Sequence, residues 1–156
     1  MAAQNFLWGP AGTPLTLLGA ELNALSNNGG SNYGTEFGGA NNPQLCNLVL
    51  HLASNSLAFT PQSYVQVLLV SSTTTIAGAA YPTYTAGATP KIASQNYSAA
   101  VIWLNPTTQG ANVVDEVATD VIMPLGAFRA ILINVSGFAL PASGNTLTLI
   151  PTPTQY

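Results

Sequence analysis

A hydrolytic triad needs a nucleophile, a base and an acid that orients the base, and His51 is the single histidine able to act as that base. It falls inside an alternating apolar segment, and no serine occupies a Gly-x-Ser-x-Gly turn that would expose a nucleophile. One histidine and one cysteine, Cys46, are too few for a four-ligand zinc site within one chain. Asp115, Glu116 and Asp120 form the densest acidic cluster, and with Asn112 they offer the hard oxygens that calcium takes. Their spacing matches no EF-hand loop, so a solvated acidic loop is the simpler reading. A glycosidase needs two carboxyl groups on opposite sides of a sugar, and no spacing among the acids points to such a pair. No glycine-rich loop ends in Gly-Lys-Ser/Thr. The residues predict a protein that is not an enzyme and needs neither a cofactor nor a metal.

What remains are lone charges and aromatic rings. Arg129 opens the most apolar strand candidate, and pairing with Asp115, Glu116 or Asp120, across the sheet or across a subunit boundary, competes with plain solvation. Trp and Tyr are enriched at protein interfaces, and their faces can also stack on sugars. Trp103 falls on an apolar strand candidate and is expected in the core, whereas Tyr81 and Tyr84 sit in a Gly/Pro/Thr-rich stretch and are better placed for contact. Trp8, Tyr81, Tyr84, Arg129 and Asp115 are therefore the candidate interface residues.

The composition fits that picture. Only 4% of the 156 residues are charged, against about 25% in an ordinary soluble domain, while 47% are hydrophobic. Thr, Asn, Ser and Gln supply 49 residues, so water is met by neutral polar groups. Such a surface packs beside others with little long-range repulsion. Two basic residues and a net charge of -3 leave no phosphate-binding patch, which argues against nucleic acid as a partner. The longest apolar stretch, residues 99–104, is far short of the roughly 20 residues that cross a bilayer, and the N-terminus lacks a basic segment followed by an apolar run. The expectation is a protein made in the cytosol, with no membrane partner. Cys46, in an alternating apolar segment, reads as a buried thiol, and the glycosylation patterns at Asn96 and Asn134 carry little weight without an export signal.

To position these residues, the chain offers short runs rich in Val, Ile, Leu, Thr and Tyr, punctuated by 14 Gly and 11 Pro, the pattern of a sandwich or barrel. Residues 46–52 place apolar side chains at every second position with Asn47 and His51 opposite, which predicts a half-buried strand. Residues 64–71 and 98–104 are apolar on both faces and predict strands covered on both sides or facing a neighbouring subunit. Residues 128–136 put Arg129, Ile131, Ile133 and Val135 on one face and Ala130, Leu132 and Asn134 on the other. Residues 146–150 make the last strand, with Pro151 and Pro153 expected to blunt a sheet edge. Leu15, Leu18, Leu22 and Leu25 are spaced for one short N-terminal helix, with a short strand followed by a turn as the competing reading. Residues 27–43, with five Gly and five Asn, and residues 73–90 read as long loops. The chain divides into an N-terminal arm, residues 1–14, and a single β-sandwich domain, residues 15–156.

Two segments resemble a known family. The run Met123-Pro124-Leu125-Gly126-Ala127-Phe128-Arg129-Ala130-Ile131-Leu132-Ile133-Asn134-Val135-Ser136-Gly137-Phe138-Ala139-Leu140-Pro141-Ala142-Ser143-Gly144-Asn145-Thr146-Leu147 is similar to the ending of small virion structural proteins of tailed bacteriophages. Leu22-Asn23-Ala24-Leu25-Ser26-Asn27 resembles an early motif of the same proteins. Together they cover about a quarter of the chain, in the family's order. The resemblance implies an all-β, jelly-roll-like antiparallel β-sandwich that decorates, or cements, the outside of a phage capsid. Its implied partners are the major capsid protein and two further copies of itself in a homotrimer. The long loops and the very low charge depart from the family pattern. The competing functional reading is a carbohydrate-binding module of a tail or head fibre, with Tyr81 and Tyr84 as its stacking platform.

Overall fold

The computed structural model describes residues 13–37, 45–55, 57–72, 81, 84–87, 91–92, 98–105, 112–124 and 126–152. Among the described residues nine antiparallel strands follow one another: β1 (Leu15–Leu18), β2 (Leu45–Asn55), β3 (Tyr64–Ser71), β4 (Tyr84–Thr85), β5 (Lys91–Ile92), β6 (Ser98–Trp103), β7 (Asn112–Ile122), β8 (Phe128–Val135) and β9 (Thr146–Pro151). They form a four-stranded sheet in the order β1-β9-β2-β7, a three-stranded sheet in the order β6-β3-β8, and the small pair β4-β5. The protein is an all-β antiparallel sandwich. Among the described residues no helix is long and apolar enough to cross a membrane.

Alternation explains the core. In β2, Cys46, Leu48, Leu50 and Leu52 are fully buried, and they meet Leu147 and Leu149 of β9. From the other sheet come Val65, Val67 and Leu69 of β3 and Phe128, Ala130 and Leu132 of β8. Each buried Leu, Val or Phe contributes about 1.5–3 kcal/mol relative to exposure, which is why the two inner faces cannot slip by one residue without turning the core out to water. A register irregularity between Thr16 and Leu18 lets β1 bury the consecutive residues Leu17 and Leu18.

The N-terminal segment resolves as strand plus turn. Residues 15–18 pair with β9, and only Ala20–Leu22 curl, into a 3₁₀ turn. The expected helix fails because Gly19 weakens a helix interior and because the four leucines bury more completely when Leu17 and Leu18 face the sandwich. Pro151 ends a strand in the interior of its sheet, since β9 lies between β1 and β2, and so does not blunt an edge; Pro153 lies outside the described residues.

The first Gly/Asn-rich stretch is more ordered than a loop. Along the free edge of β8, the amides of Asn28, Ser31, Gly34 and Phe37 donate to the carbonyls of Asn134, Leu132, Ala130 and Phe128. The amides of Asn134 and Phe128 return bonds to Gly29 and Phe37. Residues 28–37 thus act as an irregular strand, and the Thr35 amide, donating to the Leu17 carbonyl, ties them to β1 in the opposite sheet. Only glycine fits at Gly34, where a Cβ would lie 2.1 Å from the Leu17 carbonyl oxygen. This crossing closes one side of the sandwich. The other side, between the edge strands β6 and β7, stays open as a cleft of about 520 Å³ lined by Ala100, Val101, Ala118, Thr119, Asp120, Val121 and Ile122.

Candidate interaction surface

Residues 22–28 and 134–145 meet in one corner of the fold. Asn134 is fully buried, and its Nδ2 donates to the carbonyls of Leu25, Ser26 and Phe138 while its Oδ1 accepts the Ser136 amide. Asn145 does the same work one turn away, donating to the carbonyls of Leu22 and Pro141 and to Asn23 Oδ1, and accepting the Ala53 amide. Main-chain bonds from Ala24 to Pro141 and from Leu140 to Leu25 complete the joint, together with the Gly137 amide donating to Asn27 Oδ1. Ala24, with φ of 54°, is held in the left-handed region by its bond to Pro141. Residues 22–27 and 134–145 are therefore one hydrogen-bonded unit that shapes the end of the sandwich. Burial of Asn134 also removes it as a glycosylation acceptor.

Arg129 finds a different acid from the expected ones. It projects from the outer face of β8, whereas Asp115, Glu116 and Asp120 belong to β7 in the other sheet, so the two layers keep them apart. Its Nη2 lies 3.8 Å from Glu36, and its guanidinium sits 4.8 Å from the centroid of the Tyr81 ring. The Tyr81 hydroxyl donates to Glu36 at 2.9 Å, and Tyr33 packs beside the ring. Burial first, and the hydrogen bond to Glu36 second, push the Tyr81 hydroxyl up to about 12 from its ordinary 10.0. Tyr81 also helps to cover Leu68, Val70 and Ile131 on the outside of β3 and β8. One face and the hydroxyl of this ring are thus committed within the chain. Tyr84 lies in β4, but its side chain is outside the described residues, as is Trp8.

On β7, Asp115 Oδ1 meets His51 Nδ1 at 2.7 Å across the pair β2-β7, on the outer face of the sheet. Glu116 accepts the Asn105 amide, and the Asp120 amide donates to Asn47 Oδ1. The three acids therefore engage different groups along an 11-residue strand, which replaces the expected acidic loop. Among the described residues no three His, Cys, Asp or Glu side chains gather as a metal site. Cys46 is buried beside Met123, and burial pushes its thiol up to about 12, where it is inert at neutral pH.

The unusual surface is apolar. Of the six large hydrophobic side chains most exposed among the described residues, five belong to β6 and β7: Val101, Trp103, Val113, Val117 and Ile122, the last 76% exposed. Trp103, expected in the core, is 58% exposed. The reason is that β6 is an edge strand whose inner positions are taken by Ile102 and Leu104, leaving the Trp103 parity outside. Beside it, Tyr64 places its ring centroid 5.2 Å away across the pair β3-β6. On the other sheet's outer face, Val113 and Val117 flank the His51–Asp115 pair, and their neighbours on β2, β9 and β1 are Val49, Thr146, Thr148 and Thr16. Sequence reasoning missed β7 because each of its parities mixes apolar with acidic residues and a register irregularity between Cys46 and Leu48 shifts their phase. Comparison with protein-family models, curated proteins and solved structures gave no match to this chain.

Proposed function

We propose that this protein is a non-enzymatic structural component of a phage virion that binds the outside of the capsid and reinforces it, assembling as a homotrimer against the major capsid protein. The observation that carries the reading is the outer face of the four-stranded sheet. Val113 and Val117, each 51% exposed, and Ile122 stand on it among threonines and the His51–Asp115 pair, with no Lys or Arg within the strands of that sheet. An exposed apolar strip rimmed by mostly uncharged polar groups is the composition of a protein interface, not of a solvent face. Attachment through it would bury surface across capsomer junctions, so that losing a capsid subunit requires breaking extra contacts; repeated attachment raises avidity without any single strong bond.

The strand order supports a finer reading of the fold. With residues 28–37 taken as a strand beside β8, the sandwich has two four-stranded sheets, β1-β9-β2-β7 and 28–37-β8-β3-β6. First-last-third-sixth facing second-seventh-fourth-fifth, with the pair β4-β5 left out of the count, is the arrangement of an eight-stranded jelly roll, an architecture used by viral shells. A shared architecture is support by analogy; the surface is what the experiment addresses. Light scattering on the purified chain is expected to return the mass of a trimer, and the protein is expected to pellet with capsids that lack it. Because the surface is neutral, pelleting should survive about 0.5 M salt. A monomer that leaves such capsids in the supernatant, or release by salt, contradicts the proposal.

A further inference from the structure

The outer face of the three-stranded sheet points away from the surface just described, and it carries a second apolar feature. Its side chains stand in rows across the strands: Trp103, Tyr64 and Val135 in the first, Val101, Gln66 and Ile133 in the next, then Leu68 and Ile131, then Val70 and Arg129. The far rows are roofed by Tyr33 and Tyr81. The first row is not: Trp103 is more than half exposed, and its neighbour Tyr64 is tilted 53° to it, so the two rings form a shallow open trough. Gln66 sits one row away on the same face, and exposed Asn105 follows Trp103 by two residues.

We propose that Trp103 and Tyr64 form a binding platform for a neutral oligosaccharide. The apolar C–H face of a pyranose matches an aromatic face, and the amides of Gln66 and Asn105 offer both donors and acceptors to the hydroxyls at its rim. Charge complementarity selects a neutral ligand. Among the described residues the cation of this face, Arg129, is three rows off and engaged with Glu36 and Tyr81, so it does not draw a sulfated or uronic-acid chain to the platform. An exposed ring disfavours a protein anchor, which needs a surrounding ring of contacts that keeps water out. Trp103 is 58% exposed on a strand that is the edge of its sheet among the described residues, a shape suited to a narrow, elongated ligand. This platform differs from the Tyr81 and Tyr84 pair expected from the sequence, because the Tyr81 ring already holds the Arg129 guanidinium. It also lies on the opposite face from the capsid-docking strip, so the two proposals stand or fall separately.

The test uses the full-length chain with Trp8 replaced (W8F), so that the fluorescence reports Trp103 alone. It is titrated with three neutral probes: cellohexaose, laminarihexaose and maltohexaose. A blue shift or quenching that saturates below about 5 mM with at least one probe is expected, with the same midpoint in about 0.5 M salt. By calorimetry, Trp103→Ala should weaken that binding at least about tenfold, Trp103→Tyr should retain part of it, and Tyr81→Phe should leave it unchanged. Because Trp103 is exposed, its two variants are expected to keep the circular dichroism and melting of the parent. No saturable binding of any probe, or binding that Trp103→Ala leaves intact, overturns the proposal. Loss of capsid pelleting on Trp103→Ala without any glycan binding also overturns it and assigns the ring to a protein interface.

Discussion

At the corner built from residues 22–30 and 134–145, buried polar groups are satisfied by one another. On β6 and β7, large apolar groups face water. Asn134 and Asn145 together engage seven carbonyl or amide groups of the main chain and one side chain, some near in sequence and others more than 90 residues away. Val117 and Ile122 contribute nothing to the core. A region whose groups are all paired within the chain is spending its chemistry on the fold. A region with unburied apolar area is incomplete until something covers it.

The sharpest way to break the corner is Asn134→Ala. It orphans the buried Ser136 amide and takes one of two donors from each of the Leu25, Ser26 and Phe138 carbonyls, so about 3 kcal/mol of stability should be lost in urea unfolding, enough to leave part of the protein unfolded at 37 °C. Asn145→Ala should cost about 2 kcal/mol by the same measurement, because the Ala53 amide, although half-buried, loses its acceptor. The third effect is smaller and depends on pH. The Tyr81 hydroxyl is held at about 12 in the folded chain against 10.0 when free, so the folded state keeps its proton more tightly. Its stabilisation is present in full below pH 10.0 and is lost as pH rises through about 12. The melting temperature of the parent should therefore fall more steeply above pH 10.0 than that of Tyr81→Phe, which has no such proton to lose. At the other region, Val117→Thr and Ile122→Thr should each change stability by less than about 0.5 kcal/mol, because these side chains are already in water.

The contrast also decides what was legible in the sequence. Strands β2 and β9 were readable because one parity of each is apolar and the burial follows it residue by residue, and β3 and β8 because they are short runs apolar on both faces. The corner was visible as a motif but not as a joint, since the partners of Asn134 are backbone carbonyls more than 100 residues away, and carbonyls leave no trace in residue type. Residues 28–37 read as a loop because their glycines mark close approach to β1 and β8, which composition does not distinguish from flexibility. Arg129 was correctly singled out as a charge with a use, but its partner Glu36 lies in that same misread stretch. The exposed surface was hidden for a related reason. Trp103, Val113 and Val117 look like core to any rule that sends apolar residues inward, and their exposure becomes visible only once the edge positions of β6 and β7 are known.

The central claim is that the outer face of the β1-β9-β2-β7 sheet docks on a capsid. Co-sedimentation of the double variant Val117→Lys, Ile122→Lys with capsids lacking the protein tests it most directly. The account predicts that the variant folds and melts like the parent but stays in the supernatant, because two ammonium groups would have to be stripped of water at the contact. Pelleting equal to that of the parent would contradict it.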